Sequence, residues 1–131
     1  MLKYLLAFPV ITMAASASGQ DTRVVPPVMG FETERPELNA QQAATLRCSA
    51  AFGIVAHGQA NGDEVALQYP PLNERGKEFF VRAGARLMDE LGLDRDGIQA
   101  LVSAEAQRLW DEDAIGDVMP ACLLLLDASG V

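Results

Sequence analysis

The sequence predicts an all-α fold: a small four-helix bundle, closed or orthogonal, with an extended N-terminal arm and one disulfide. Three observations support this prediction. Four segments after residue 37 carry apolar residues at helical spacing, helix-starting and helix-ending residues separate these segments, and the chain holds two cysteines, Cys48 and Cys122. The sequence contains no internal repeat, low-complexity tract or β-hairpin signature. Residues 38–131 are therefore predicted to form one helical domain.

The first 17 residues have the features of an export signal. Lys3 gives a charged start, residues 4–13 form an apolar run, and Ala15-Ser16-Ala17 is the small-x-small pattern that signal peptidase requires. This run is too short for a membrane span, which takes about 20 residues. We therefore predict cleavage near Ala17, a periplasmic or secreted location, and no membrane span in the mature chain. The alternative interpretation is that these residues form an N-terminal helix of the protein core.

Residues 18–37 are predicted to be an extended or disordered arm. Pro26, Pro27, Gly30 and Pro36 interrupt this segment, and its apolar residues follow no helical period.

The first helix is predicted to begin at a capping box formed by Asn39 and Gln42, and to end near Gly58. Two adjoining stripes of the helix are apolar, so we expect it to be mostly buried. The stripes contain Leu46, Ala50, Ile54 and His57, and Cys48, Ala51, Phe52 and Val55. A loop that contains Asn61-Gly62-Asp63 and Tyr69-Pro70-Pro71 follows this helix.

Three further helices follow from similar signals. Asn73 is the predicted N-cap of the second helix and Gly92 its stop, and Asp94 is the predicted cap of the third. Residues 111–117 are predicted to be a turn, and Pro120 to lie in the first turn of a fourth helix of about two to three turns. The predicted core residues are Phe80, Ala83, Gly84, Leu87 and Leu91 in the second helix, and Ile98, Leu101, Val102, Leu109 and Trp110 in the third.

The two cysteines are predicted to form a disulfide. In an oxidising compartment an even cysteine count indicates disulfide bonding, and two cysteines allow one intramolecular pairing, Cys48 with Cys122. This bond would hold the first helix directly against the fourth. A redox pair or a metal site is the alternative, but redox pairs usually have Cys-x-x-Cys spacing, and His57 adds too few further ligands.

The charge of the chain excludes some classes of function. The 18 Asp and Glu exceed the 10 Lys and Arg, which gives a net charge of −8. Lys3 is the one charged residue of the export signal, so cleavage changes this charge to −9. A chain with no basic run is a poor nucleic-acid binder, because phosphate neutralisation needs clustered Lys and Arg. Half of the residues are apolar, which argues against a disordered chain.

His57 is the residue to which a catalytic role is most easily assigned, because it is the single histidine. A hydrolase would pair it with Ser49 or Ser103 and an acid, but neither serine has the context of a nucleophile elbow. The simpler interpretation is that His57 lies near the C-terminus of the first helix, where the helix macrodipole favours a histidine. We therefore expect no catalytic residue and no cofactor, and predict a binding surface that includes His57, Tyr69, Pro70 and Pro71.

The acidic residues at 111–117 do not match the sequence pattern of an EF-hand calcium site. In an EF-hand loop beginning at Asp111, the fifth position is Ile115 and the twelfth is Cys122, where oxygen ligands are needed. We therefore predict no metal.

Three segments carry a resemblance to a known family: residues 46–52 (Leu-Arg-Cys-Ser-Ala-Ala-Phe), 69–72 (Tyr-Pro-Pro-Leu) and 119–122 (Met-Pro-Ala-Cys). They resemble segments of small exported two-cysteine helical proteins of alphaproteobacteria. This family has no assigned activity, so the resemblance, which covers about residues 38 to 127, implies no functional residues. The architecture is also similar to that of the periplasmic acid-stress chaperones.

The expected function is that of a non-enzymatic binding or accessory protein of the periplasm with a protein or small-molecule partner. Two alternatives stay open. An acid-responsive chaperone would use the protonation of the many carboxylates to loosen the bundle at low pH. A small hydrolase would use His57.

Overall fold

The predicted all-α bundle with one disulfide is confirmed. The structure is a computed structural model that describes residues 35–131. Its elements are α1 (Ala40–Ala60), a short 3₁₀ turn (Ala66–Gln68), α2 (Arg75–Leu91), α3 (Arg95–Asp111) and α4 (Ile115–Ala128), and no strand occurs in this part of the chain. The predicted signal peptide and residues 18–34 of the predicted arm lie outside the described residues. No helix within residues 35–131 is long and apolar enough to cross a membrane.

The capping box that begins α1 is confirmed. The Oδ1 atom of Asn39 accepts a hydrogen bond from the Gln42 backbone N–H at 2.8 Å, and Gln42 Oε1 accepts one from the Asn39 N–H at 3.1 Å. The Gln42 side chain also donates to Glu90 Oε2 at 2.9 Å, which joins the start of α1 to the end of α2. This bond, together with one from Arg86, lowers the pKa of Glu90.

Replacement of the cap gives a first testable prediction. Asn39→Ala removes the acceptor for the Gln42 N–H and is expected to lower the free energy of unfolding by about 1 kcal/mol, measured by urea denaturation. Gln41→Ala is the matched control, because Gln41 is exposed and forms no hydrogen bond through its side chain within residues 35–131. Equal stability of the two variants would show that the box does not stabilise the fold.

The end of α1 differs from the prediction. Gly58 is helical, and α1 continues to Ala60. A Cβ atom placed on Gly58 would lie 2.7 Å from Cβ of Ala66, closer than real Cβ contacts allow. The glycine is therefore needed for the close approach of the 3₁₀ turn to α1, and it does not end the helix.

The buried stripe of α2 is shifted from the predicted one. Its buried residues are Gly76, Phe79, Ala83 and Leu87, whereas Phe80, predicted to be in the core, is 40% exposed. Phe79 and Phe80 are adjacent and about 100° apart around the helix, so one alone can face α1. Phe79 takes that place and packs edge-on against Phe52, with ring centroids 5.2 Å apart. The N-cap position of α2 is Glu74, and Asn73 does not cap the helix.

The predicted end of α2 and the predicted cap of α3 are confirmed, but the prediction that Trp110 faces the core is wrong. Gly92 has a left-handed φ of 65° at the end of α2, and Asp94 Oδ1 accepts from the Gly97 N–H at 2.7 Å. Leu109 is fully buried as predicted. Trp110 is 70% exposed, because the next residue along a helix points about 100° away from the core side that Leu109 occupies.

The prediction that Pro120 lies in the first turn of α4 is also wrong. The helix begins at Ile115, so Pro120 lies inside it and provides no N–H for the carbonyl of Gly116. Gly116 is exposed, and its carbonyl is therefore accessible to water. The turn between α3 and α4 is short, and it is made by Asp113, whose φ is 50°.

The core is organised around α1, which packs against all three other helices and against the 3₁₀ turn. The predicted disulfide is present: Cys48 in α1 is bonded to Cys122 in α4, with their Cα atoms 5.1 Å apart. Ala51, which follows Cys48 by about one turn of α1, is fully buried.

Candidate functional site

An open groove with a volume of about 840 Å³ lies along one side of α1. We call it the α1 groove. Its floor is α1, one wall is the loop between α1 and α2, and the other wall is the second half of α3. Its lining includes Ala50, Gly53 and Ile54 in the floor, Val65 and Tyr69 in the loop, and Ala106 in α3. Most of these side chains are apolar, so the groove suits an apolar ligand.

Gly53 lines the groove from α1. It is exposed, and a Cβ atom built on it would meet no other heavy atom within 4 Å. A larger side chain at this position would therefore have open space on the groove side of α1. Gly53 thus has a role different from that of Gly58 one and a half turns later, where the glycine permits close packing.

A single side chain, that of Gln59, fixes the loop wall to α1. Its Nε2 atom lies within 3.2 Å of three loop carbonyls, those of Ala66, Tyr69 and Pro70, and donates to them. Its Oε1 atom accepts from the Leu72 N–H at 3.0 Å. The sequence carried a signal for this role that our interpretation missed. Gln59 lies four residues after the buried Val55, so a polar side chain continues a buried stripe.

Substitution of Gln59 gives a second prediction. Gln59→Ala removes the acceptor of the Leu72 N–H and the donor to the three loop carbonyls, of which that of Ala66 still accepts from the Tyr69 N–H. The variant is expected to cost about 1–3 kcal/mol of unfolding free energy. Gln59→Glu keeps the acceptor but cannot donate to the carbonyls, so it is expected to destabilise as well. Urea denaturation and hydrogen exchange of the Leu72 amide measure both effects. Gln107→Ala removes one exposed hydrogen bond, to Asp111, and serves as the control. Gln59 variants no less stable than Gln107→Ala would contradict this role.

The predicted binding surface is divided by the structure. His57 and Tyr69 both line the α1 groove, whereas Pro70 and Pro71 are exposed and do not line it. His57 is exposed near the end of α1, where the side chain of Asn61 donates to its backbone carbonyl at 2.8 Å and lies 3.3 Å from its Nε2 atom.

The serines named as possible partners of His57 also line the groove, but neither is hydrogen-bonded to it within residues 35–131. Ser49 donates to the carbonyl of Thr45 at 2.8 Å. It lies eight residues from His57 on the same helix, which corresponds to a rise of about 12 Å, well beyond hydrogen-bond reach. No group of three metal-ligating side chains occurs in the described part of the chain. Within residues 35–131, neither serine of the groove is therefore paired with His57.

A buried carboxylate lies behind the α3 wall. Glu105 is 9% exposed and accepts two hydrogen bonds from Arg108, at 2.5 and 3.1 Å. Arg108 also donates to Glu112 at 2.5 Å, and the Nε atom of Arg47 in α1 lies 4.0 Å from Glu105. Hydrogen bonding to Glu105 raises the pKa of Arg108. This cluster joins α3 to α1. Its carboxylates compensate the charge of Arg108, which lies two residues before Trp110.

The chain matches no protein-family model, and comparison with characterised proteins and with solved structures gives no match.

Proposed function

We propose that the mature chain is a non-enzymatic binding protein of the periplasm that holds a small, largely apolar ligand in the α1 groove. One observation carries the proposal: the groove has a volume of about 840 Å³ and a mostly apolar lining. Sites for small molecules typically enclose about 300–1,000 Å³ and combine apolar walls with a few polar groups. Polar groups of this kind are present at His57, Ser103 and Asp113.

The way in which the walls are held also supports binding. The loop wall is fixed by the four contacts of Gln59. A preformed site loses less conformational entropy when a ligand enters, which favours affinity. The disulfide also supports export, because such bonds persist mainly in oxidising compartments.

Titration with a neutral apolar probe tests the proposal. Trp110 is the single tryptophan of the chain and lines the groove, so its fluorescence reports occupancy directly. We expect N-phenyl-1-naphthylamine to change the Trp110 emission saturably, with one probe per chain. Binding that does not saturate, or a response that survives occupation of the groove by a competing alkyl alcohol, would contradict the proposal.

A further inference from the structure

We infer that the ligand of the α1 groove is an amphiphilic cation, with an ammonium or amidinium group at one end of its apolar body. The inference deepens the proposed function and rests on it. It follows from the charges that line the groove and from the exposed aromatic ring at its edge.

Two carboxylates line the groove together with the imidazole of His57. Asp63 in the loop and Asp113 in the turn between α3 and α4 both line it, and no lysine or arginine of residues 35–131 does so. Within the same residues, no lysine or arginine forms a salt bridge with either aspartate. A cationic group would therefore be attracted to this lining, and a carboxylate or sulfate would be repelled.

The side chain of Asp63 and the backbone of Asp113 each form a local hydrogen bond. Asp63 Oδ1 accepts from the Ala66 N–H at 2.8 Å, which leaves the other carboxylate oxygen outside this bond. Asp113 has a φ of 50°, and its N–H donates to the carbonyl of Trp110 at 3.1 Å. Asp63 and Asp113 line the groove from two different segments of the chain.

Trp110 adds a second feature that favours a cation. Its ring lines the groove and is 70% exposed, although tryptophan is a costly residue to leave in water. The face of an indole ring attracts cations within about 6 Å, and tryptophan does so more strongly than the other aromatic residues. Arg108, which is close in sequence, is already bound to Glu105 and Glu112. The indole face is therefore available to a ligand.

Three probes that share one alkyl chain test the inference: decyltrimethylammonium, decanol and decanoate, each below its aggregation concentration. We expect calorimetry of the intact mature protein at neutral pH to show decyltrimethylammonium binding at least about tenfold more tightly than decanol, and decanoate most weakly. The preference should decrease in 0.5 M salt, because exposed charges are screened. Equal binding of all three probes, or tighter binding of decanoate, would overturn the inference and leave the proposed function in place. No binding of any probe would overturn both.

Two isosteric variants locate the cation. Asp63→Asn keeps the acceptor for the Ala66 N–H, and Asp113→Asn keeps a residue type that tolerates a left-handed φ, so both should fold. Each is expected to weaken decyltrimethylammonium binding about fivefold, as for one exposed charge pair, and to leave decanol binding unchanged. Asp89→Asn is the matched control, since Asp89 is exposed on α2 and does not line the groove. If Asp89→Asn weakens binding equally, the preference arises from net charge and the assigned site is wrong.

Discussion

Removal of the Cys48–Cys122 disulfide is expected to lower the free energy of unfolding by about 4 kcal/mol. The bond closes a loop across a sequence separation of 74 residues and joins α1 directly to α4. Without it the unfolded chain gains conformational freedom, and α4 loses its covalent attachment to the central helix. Urea denaturation of the oxidised protein and of the double variant Cys48→Ala/Cys122→Ala, both under non-reducing conditions, measures the difference.

The response to a reducing agent provides the control for this prediction. Dithiothreitol should destabilise the wild-type protein and have no effect on the double variant, which has no thiol to reduce. Hydrogen exchange should also increase most strongly in α4, where Met119, Cys122 and Leu126 face the core. Unchanged stability of the double variant would show that the bond does not hold the bundle together.

The sequence predicted the features of the fold that depend on local chemistry. Asn39 with Gln42, Gly92 and Asp94 mark helix ends through hydrogen bonds or backbone angles that involve only nearby residues. The disulfide was also predictable, because two cysteines allow one intramolecular pairing. These signals were sufficient to give four helices and the contact between the first and the last.

Features that depend on packing between distant segments were not predictable. Phe80 and Trp110 each have an apolar neighbour in the sequence, and the pattern does not show which member of such a pair faces the core. The roles of Gly58 and Gln59 depend on the loop that follows α1. This loop comes close to the two residues only when the chain is folded.

The groove was predicted only in part, for the same reason. His57 and Tyr69 were expected at a binding surface and do line the groove, whereas Pro70 and Pro71 do not. Its floor and its α3 wall come from segments about 50 residues apart in sequence. A glycine such as Gly53 looks like a weak point of a helix in the sequence. The effect of Gly53 on the shape of the surface depends on the positions of the loop after α1 and of α3, which the sequence pattern does not give.

A larger side chain in the floor of the groove is expected to weaken ligand binding without destabilising the fold. Gly53→Leu places a side chain in the open space above the floor, where a Cβ atom meets no neighbour within 4 Å. Because leucine has a higher helix propensity than glycine, stability should rise by about 0.5–1 kcal/mol. Gly84→Leu is the matched control: Gly84 also lies in a helix with open space at its Cβ position, but it does not line the groove.

The affinity of these two variants for N-phenyl-1-naphthylamine, relative to that of the wild-type protein, tests the central claim most directly. Our account predicts that Gly53→Leu weakens binding at least about tenfold, equivalent to about 1.4 kcal/mol, while Gly84→Leu binds as the wild type does. Both variants should unfold at equal or higher urea concentration than the wild type, which separates loss of binding from loss of structure. Unchanged binding by Gly53→Leu, or equal weakening by both variants, would contradict the assignment of the α1 groove as the binding site.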